Sequence, residues 1–146
     1  MTKLDKNEIK KLIPHREPFL LIDEIIEMEP GKKAVAIKYI APDDFWFEGH
    51  FPGHPVTPGV LIVEMMAQTG CAAMLALPEN AGKIGFFGGI DKAKFRKEVV
   101  PGDELLLTVE ITKTKSAMGS VIGYGEGKAT VDGKLACSAE IQFVLR

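Results

Sequence analysis

The chain has 146 residues, of which 46% are hydrophobic and 26% are charged, and its formal net charge is −2. This length fits one domain, spanning residues 1–146, that can bury a sizeable core. The nearly balanced charge excludes the strongly basic surface typical of nucleic-acid-binding proteins and gives no sign of a membrane-surface partner.

The N-terminal part of the chain predicts one short helix and two strands. Residues Asn7 to Ile13 favour a helix that begins after Asp5 as N-cap and stops at Pro14. Phe19 to Met28 is rich in Ile and Leu and predicts a strand, and Lys33 to Ile40 predicts a second one. The first 11 residues are charged and lack the apolar stretch of a secretory signal, so a cytoplasmic location is expected.

The middle of the chain combines an irregular segment with a long apolar helix. Pro42 to Pro58 has no period and is dense in proline, glycine, histidine and aromatic residues, and such long loops are usually functional. Gly59 to Leu77 then predicts a helix. It carries Glu64 and Gln68 near its middle, where a carboxylate would cost about 3 kcal/mol in a membrane. A helix buried inside the protein is therefore expected.

The C-terminal half predicts strands only. They are expected over residues 84–95, 105–111, 121–131 and 137–145, with a tight turn at Asp132-Gly133 before the last. The sum is an α+β fold in which about six mostly antiparallel strands wrap around one long helix. Because that helix is apolar nearly all round, one subunit's sheet is not expected to cover it, which favours a dimer.

Two histidines in the irregular segment are candidates for chemistry. His50 and His54 lie among prolines and glycines that fix the backbone, as expected where a reacting side chain must be held. The alternatives are plain loop histidines or metal ligands. A metal site is disfavoured because no Cys, Asp or third His completes it nearby. His15 is expected to cap or pack the N-terminal region.

The long helix supplies the other candidates. Glu64 is costly in apolar surroundings unless it is partnered or protonated, and Gln68, one turn later, can hold its carboxylate. The alternative is a glutamate at the rim of the core. At the start of the helix, the Gly59 N–H lacks an internal partner and could donate to a substrate carbonyl that becomes enolate-like. Met65, Met66 and Cys71 could line an apolar tunnel, or simply pack in the core.

Three blocks of residues carry a resemblance to a known family. The blocks are Pro14–Arg16 with Pro18–Asp23; Gly49–Gly53 with Pro58–Leu61, Glu64 and Gln68; and Gly89–Asp91 with Phe95–Arg96 and Val99–Asp103. In this order they resemble the 3-hydroxyacyl-(acyl-carrier-protein) dehydratases of bacterial type II fatty-acid synthesis, from about Leu12 to the C-terminus. Glutamate at position 64 is similar to the general dehydratase branch, whereas aspartate marks the dehydratase-isomerase branch. Glu17 departs from the family, which usually has an aromatic residue there.

The resemblance implies a hot-dog fold and dehydration of a 3-hydroxyacyl thioester to its trans-2-enoyl product. It implies a homodimer whose sites each take His50 from one subunit and Glu64 from the other, often assembled as three dimers. It implies no metal and no organic cofactor, the substrate being carried on the phosphopantetheine of acyl carrier protein. His50 matches the family's catalytic histidine, and His54 is the weaker candidate. The alternatives are a dehydratase that also isomerises the trans-2 double bond to cis-3, a hot-dog thioesterase, and an acyl-binding module without catalysis.

A local basic cluster predicts the docking surface for the acidic carrier protein. Lys92, Lys94 and Arg96 alternate, so on a strand they would share one face, and Lys97 follows. The alternative is a solvated strand end that protects the sheet edge from aggregation. The two cysteines, Cys71 and Cys137, are expected to be free thiols.

Overall fold

The computed structural model describes residues 3–146. Helix α1 (Lys6–Leu12) precedes strands β1 (Glu24–Glu29) and β2 (Lys33–Tyr39), and the long helix α2 (Gly59–Leu75) follows. The chain ends with four strands, β3 (Gly85–Phe95), β4 (Glu104–Ala117), β5 (Ser120–Val131) and β6 (Lys134–Leu145). Short 3₁₀ helices lie at Phe45–Glu48 and Pro78–Asn80. The predicted α+β class is confirmed.

All six strands belong to one sheet, in the order β1-β2-β4-β5-β6-β3, and every neighbouring pair is antiparallel. Register shifts interrupt four of the five pairings. Such bulges bend a strand and increase its twist. The bent sheet contacts α2 with all of its strands, so the predicted wrapping of the sheet around the helix is confirmed.

Helix α2 is buried by its own chain. Every residue from Ile62 to Leu75 is buried except Glu64. Small side chains allow this close packing: a Cβ on Gly70 would lie 2.4 Å from the Phe143 ring of β6. Our expectation that α2 needs cover from a second subunit was therefore wrong.

Among the described residues, no helix is long and apolar enough to span a membrane.

The predicted strand Phe19–Met28 begins only at Glu24. The backbone before it has a different partner, because the Gln68 side chain accepts from Leu21 N–H at 2.9 Å and donates to the Phe19 carbonyl at 2.8 Å. This segment therefore lies against α2 instead of extending the strand.

The other predicted elements differ at their ends. Asp5 caps α1 as predicted, in a capping box with Glu8, and the helix ends one residue before the predicted Ile13. Helix α2 ends at Leu75 rather than Leu77, before the 3₁₀ helix that begins at Pro78. Strands β4 and β6 are longer than predicted, since β4 pairs with β5 as far as Ala117.

Candidate active site

His50 lies just after the 3₁₀ helix Phe45–Glu48, whose Trp46 and Phe47 are buried and anchor the loop. The His50 N–H donates to the Trp46 carbonyl at 3.1 Å, and the ring stacks on Phe51 with centroids 3.9 Å apart. Ring atom Nδ1 lies 2.8 Å from the Val56 carbonyl oxygen. Because a carbonyl oxygen only accepts, Nδ1 carries the proton of the neutral ring, and Nε2 is left as a basic lone pair.

The half-buried His50 lines a cavity of about 530 Å³ together with the first turn of α2. Gly59 and Phe95 are part of the same lining. A Cβ on Gly59 would lie 2.6 Å from the Phe95 ring, so glycine is what lets that ring rest on the helix start. The first N–H groups of a helix have no intrahelical acceptor and carry its positive end. His50 and the free N–H of the helix start therefore border one cavity.

Glu64 is half-buried, whereas its neighbours on α2 from Ile62 to Leu75 are buried. Its Oε2 accepts a hydrogen bond of 3.0 Å from Nε2 of Gln68, which is itself wholly buried. Burial raises the pKa of the Glu64 carboxyl, and the Gln68 hydrogen bond opposes that rise. The expected Glu64–Gln68 contact is present, and the carboxyl is adapted to hold a proton at higher pH than usual.

Glu64 borders a second, smaller cavity of about 50 Å³, which His50 does not line. Its walls are mostly apolar and include Cys71 and Phe143, and the β3 residues Phe86 and Phe87 complete it. Burial raises the pKa of the Cys71 thiol to about 12. Of the tunnel candidates, only Cys71 lines this cavity, whereas Met65 and Met66 are completely buried. Within one chain, His50 and Glu64 therefore face different cavities.

His15 is a neighbour of Glu64 that the sequence alone did not indicate. Its Nε2 lies 3.6 Å from Glu64 Oε2, and it lines the same cavity. Burial, and to a smaller extent the charge of Arg16, lowers the pKa of the His15 ring. No local pattern predicts this contact, since His15 and Glu64 are 49 positions apart in sequence. The only signal was the Pro14-His15-Arg16 block of the family resemblance.

The remaining histidine lies elsewhere. His54 is exposed, and its Nε2 is 3.5 Å from the Glu98 carboxylate. Across residues 3–146, no group of three or more His, Cys, Asp or Glu side chains is arranged to hold a metal ion.

The basic cluster lies at the end of β3. Lys92, Lys94 and Arg96 line one concavity, although the strand is irregular there: Lys92 has φ +51° and the pairing with β6 shifts between Asp91 and Lys94. The simple alternation that we expected is thus interrupted by a bulge, yet the three cations still share a surface. Arg96 and Lys97 also line the His50 cavity, so the cluster borders its opening.

Known proteins resemble this chain along nearly its whole length. Residues 13–140 match the family model described as FabA-like domain. The 3-hydroxyacyl-(acyl-carrier-protein) dehydratase FabZ of Staphylococcus epidermidis is 56% identical over 145 residues, covering 99% of this chain and 97% of the relative. The protein of the same name from Clostridium botulinum is 57% identical over 142 residues, covering 97% and 96%.

A solved structure supports the fold. One chain of the dehydratase heterocomplex ApeI:P from Xenorhabdus doucetiae superposes with a TM-score of 0.78 at 17% identity, covering 92% of this chain and 88% of that chain. The predicted hot-dog architecture is confirmed by this likeness.

Proposed function

This chain belongs to the FabA-like domain family, and from that premise we propose that it dehydrates (3R)-hydroxyacyl-acyl carrier protein to the trans-2-enoyl thioester in fatty-acid elongation. The observation that carries the proposal is a basic ring nitrogen and a carboxyl that holds its proton. His50 keeps a free Nε2 beside a helix N-terminus, whereas burial favours the protonated form of Glu64. A nitrogen lone pair and a protonated carboxyl are the two groups that paired acid-base catalysis requires.

The reaction needs three contributions. His50 Nε2 takes a proton from C2 of the acyl chain, while the Gly59 N–H donates to the thioester oxygen as it becomes enolate-like. The electron pair of the broken C2–H bond then forms the C2–C3 double bond. The C3–O bond breaks with a proton supplied by Glu64, so that the hydroxyl leaves as water. Each acid-base contribution is typically worth about 10²–10⁴-fold in rate. Because both proton carriers are side chains, the reaction requires neither a metal nor an organic cofactor.

We further propose that each site is shared between two subunits. Strand β3 is an edge of the sheet and exposes Phe86, Phe87, Ile90 and Phe95. The Glu64 cavity borders the beginning of β3 and the His50 cavity borders its end. Antiparallel pairing of two β3 edges about a two-fold axis would set the beginning of one strand beside the end of the other. Glu64 of one subunit would then approach His50 of its partner.

Two further assignments rest on chemistry and family likeness. Assembly of three such dimers is the arrangement that the family resemblance implies. The free, buried Cys71 and Cys137 suit a reducing compartment, which supports a cytoplasmic location.

Mass detection of the product tests the function directly. With a 3-hydroxyacyl-carrier substrate, we expect an enoyl thioester lighter by one water. His50→Ala and Glu64→Ala should abolish it, while the control His54→Ala should keep most of the activity. Chromatographic separation of the enoyl products would reveal a cis-3 double bond if the enzyme also isomerises. Release of free acid would indicate a thioesterase, and no turnover by the unmodified protein would refute the proposal.

Subunit mixing tests the shared site. If His50 and Glu64 meet across the interface, exchange between the two inactive single mutants should restore activity, because some heterodimers carry one intact site. Subunit exchange is verified with differently tagged chains. Absence of recovery after verified exchange would mean that both residues act from the same chain.

A further inference from the structure

His15 lies against the carboxyl group assigned as the acid. Its Nε2 is 3.6 Å from Glu64 Oε2, the same oxygen that accepts from Gln68 Nε2 at 3.0 Å. The other ring nitrogen, His15 Nδ1, is buried and has no hydrogen-bond partner in the described part of the chain. A proton on Nδ1 would be an unpaired buried donor. The neutral ring therefore favours the tautomer with its proton on Nε2, which points the donor at Glu64.

The chain fixes this segment on both sides of His15. The Arg16 guanidinium donates to three carbonyl oxygens: to His15 at 2.7 Å, to Ile13 at 3.0 Å and to Lys10 at 3.1 Å. Further along, Gln68 binds the backbone of Phe19 and Leu21. Side chains held by such contacts can orient a reacting group without large reorganisation. These hydrogen bonds on both sides therefore fix the position of His15.

We propose that His15 is a positioning residue for Glu64: with Gln68 it holds Oε2 as an acceptor, so that the transferable proton resides on Oε1. This inference rests on the proposed dehydratase function. When Glu64 gives up its proton, the two N–H donors stabilise the carboxylate left behind. The distance of 3.6 Å is long for a hydrogen bond, and contacts of this kind tighten as charge develops in the reaction.

Few other polar groups can act on this carboxyl. On its own helix these are Gln68 and Cys71. On the N-terminal segment they are His15 and Arg16, and the Arg16 charge acts on the His15 ring by lowering its pKa. The walls from β3 and β6 are Gly85, Phe86, Phe87 and Phe143, none of which titrates. In the proposed dimer, the partner's base would be the remaining group. A change in Glu64 ionisation on replacing His15 is therefore attributable to the ring itself.

The test compares His15→Leu with His15→Gln in the dehydration assay from pH 5 to 10. Leucine fills the space without a donor, whereas glutamine restores an N–H at similar reach. We expect His15→Leu to lose about tenfold or more in kcat with KM changed less than about twofold. The limb of the kcat profile at which Glu64 loses its proton should move to higher pH, because a donor to the carboxylate is gone. His15→Gln should recover most of kcat and return the limb toward its original pH.

A matched control and a second variant keep the inference testable. The exposed His54→Leu should leave both kcat and its pH profile unchanged. If His15→Leu does not fold, His15→Ala should regain activity on addition of imidazole. The positioning role would be overturned if kcat fell while the pH at which Glu64 loses its proton stayed the same. It would also be overturned if neither His15 variant lost kcat. If the unmodified protein makes no enoyl product, the proposed function fails and not this inference alone.

Discussion

Gln68→Leu is expected to lower the free energy of unfolding by about 1–3 kcal/mol. Gln68 is completely buried and makes three hydrogen bonds, with Leu21 N–H, the Phe19 carbonyl and Glu64. Leucine would leave the buried Leu21 N–H without a partner, which costs about 1–3 kcal/mol, and the part-buried Phe19 carbonyl would add a smaller loss. Better burial of the apolar leucine offsets about 1 kcal/mol.

Urea unfolding at one fixed protein concentration measures this loss, since association makes apparent stability depend on concentration. The midpoint should fall while the slope stays unchanged. Gln142→Leu is the matched control, because Gln142 is half-buried on β6 and its side chain makes no hydrogen bond within the described chain. A loss below about 1 kcal/mol in Gln68→Leu, or an equal loss in the control, would refute the reasoning that Gln68 fastens the N-terminal segment to α2.

Three further predictions concern pH, packing and charge. Burial raises the pKa of Glu64 in the folded chain above its value in the unfolded chain. The protonated carboxyl therefore contributes fully to the free energy of unfolding at pH below the unfolded-state pKa, and this contribution is lost as pH rises through the folded-state pKa. Glu64→Gln should therefore unfold at higher urea than the unmodified protein near neutral pH, with the gap closing toward pH 4; parallel pH curves would contradict this. Gly70→Ala should cost about 1–3 kcal/mol, because the new Cβ would lie 2.4 Å from Phe143, whereas Gly49→Ala, with nothing within 4 Å, should cost little in the same unfolding assay. Lys92→Glu with Lys94→Glu should raise KM for a carrier-bound substrate and leave a coenzyme A thioester unaffected; equal losses on both substrates would indicate damage to the fold, and no loss would place docking elsewhere.

The sequence could predict what depends on neighbours along the chain. The length and apolar character of residues 59–77 predict α2, and the four-residue spacing of Glu64 and Gln68 predicts their contact. Asp5 is recognised as an N-cap because an aspartate before a helical segment can accept from the first backbone N–H groups, as it does from Glu8. These features need no knowledge of the tertiary fold.

Features with distant partners could not be predicted in this way. The segment before β1 has the composition of a strand, but its Phe19 carbonyl and Leu21 N–H bind the Gln68 side chain of α2, and hydropathy carries no information about that choice. The same docking brings His15 to Glu64. The bulge at Lys92 likewise depends on pairing between β3 and β6, which the alternation of cations does not reveal.

The fold gives a dimer a different physical basis from the one expected from the sequence. Helix α2 is already covered by its own sheet, so burial of the helix gives no reason for association. Four exposed apolar side chains, Phe86, Phe87, Ile90 and Phe95, lie instead on the edge strand β3, beside both cavities. An unpaired apolar edge is a liability that a protein must cover or pair. Pairing β3 with a second copy would remove that liability and bring the base to the acid, so the same contact would serve stability and catalysis.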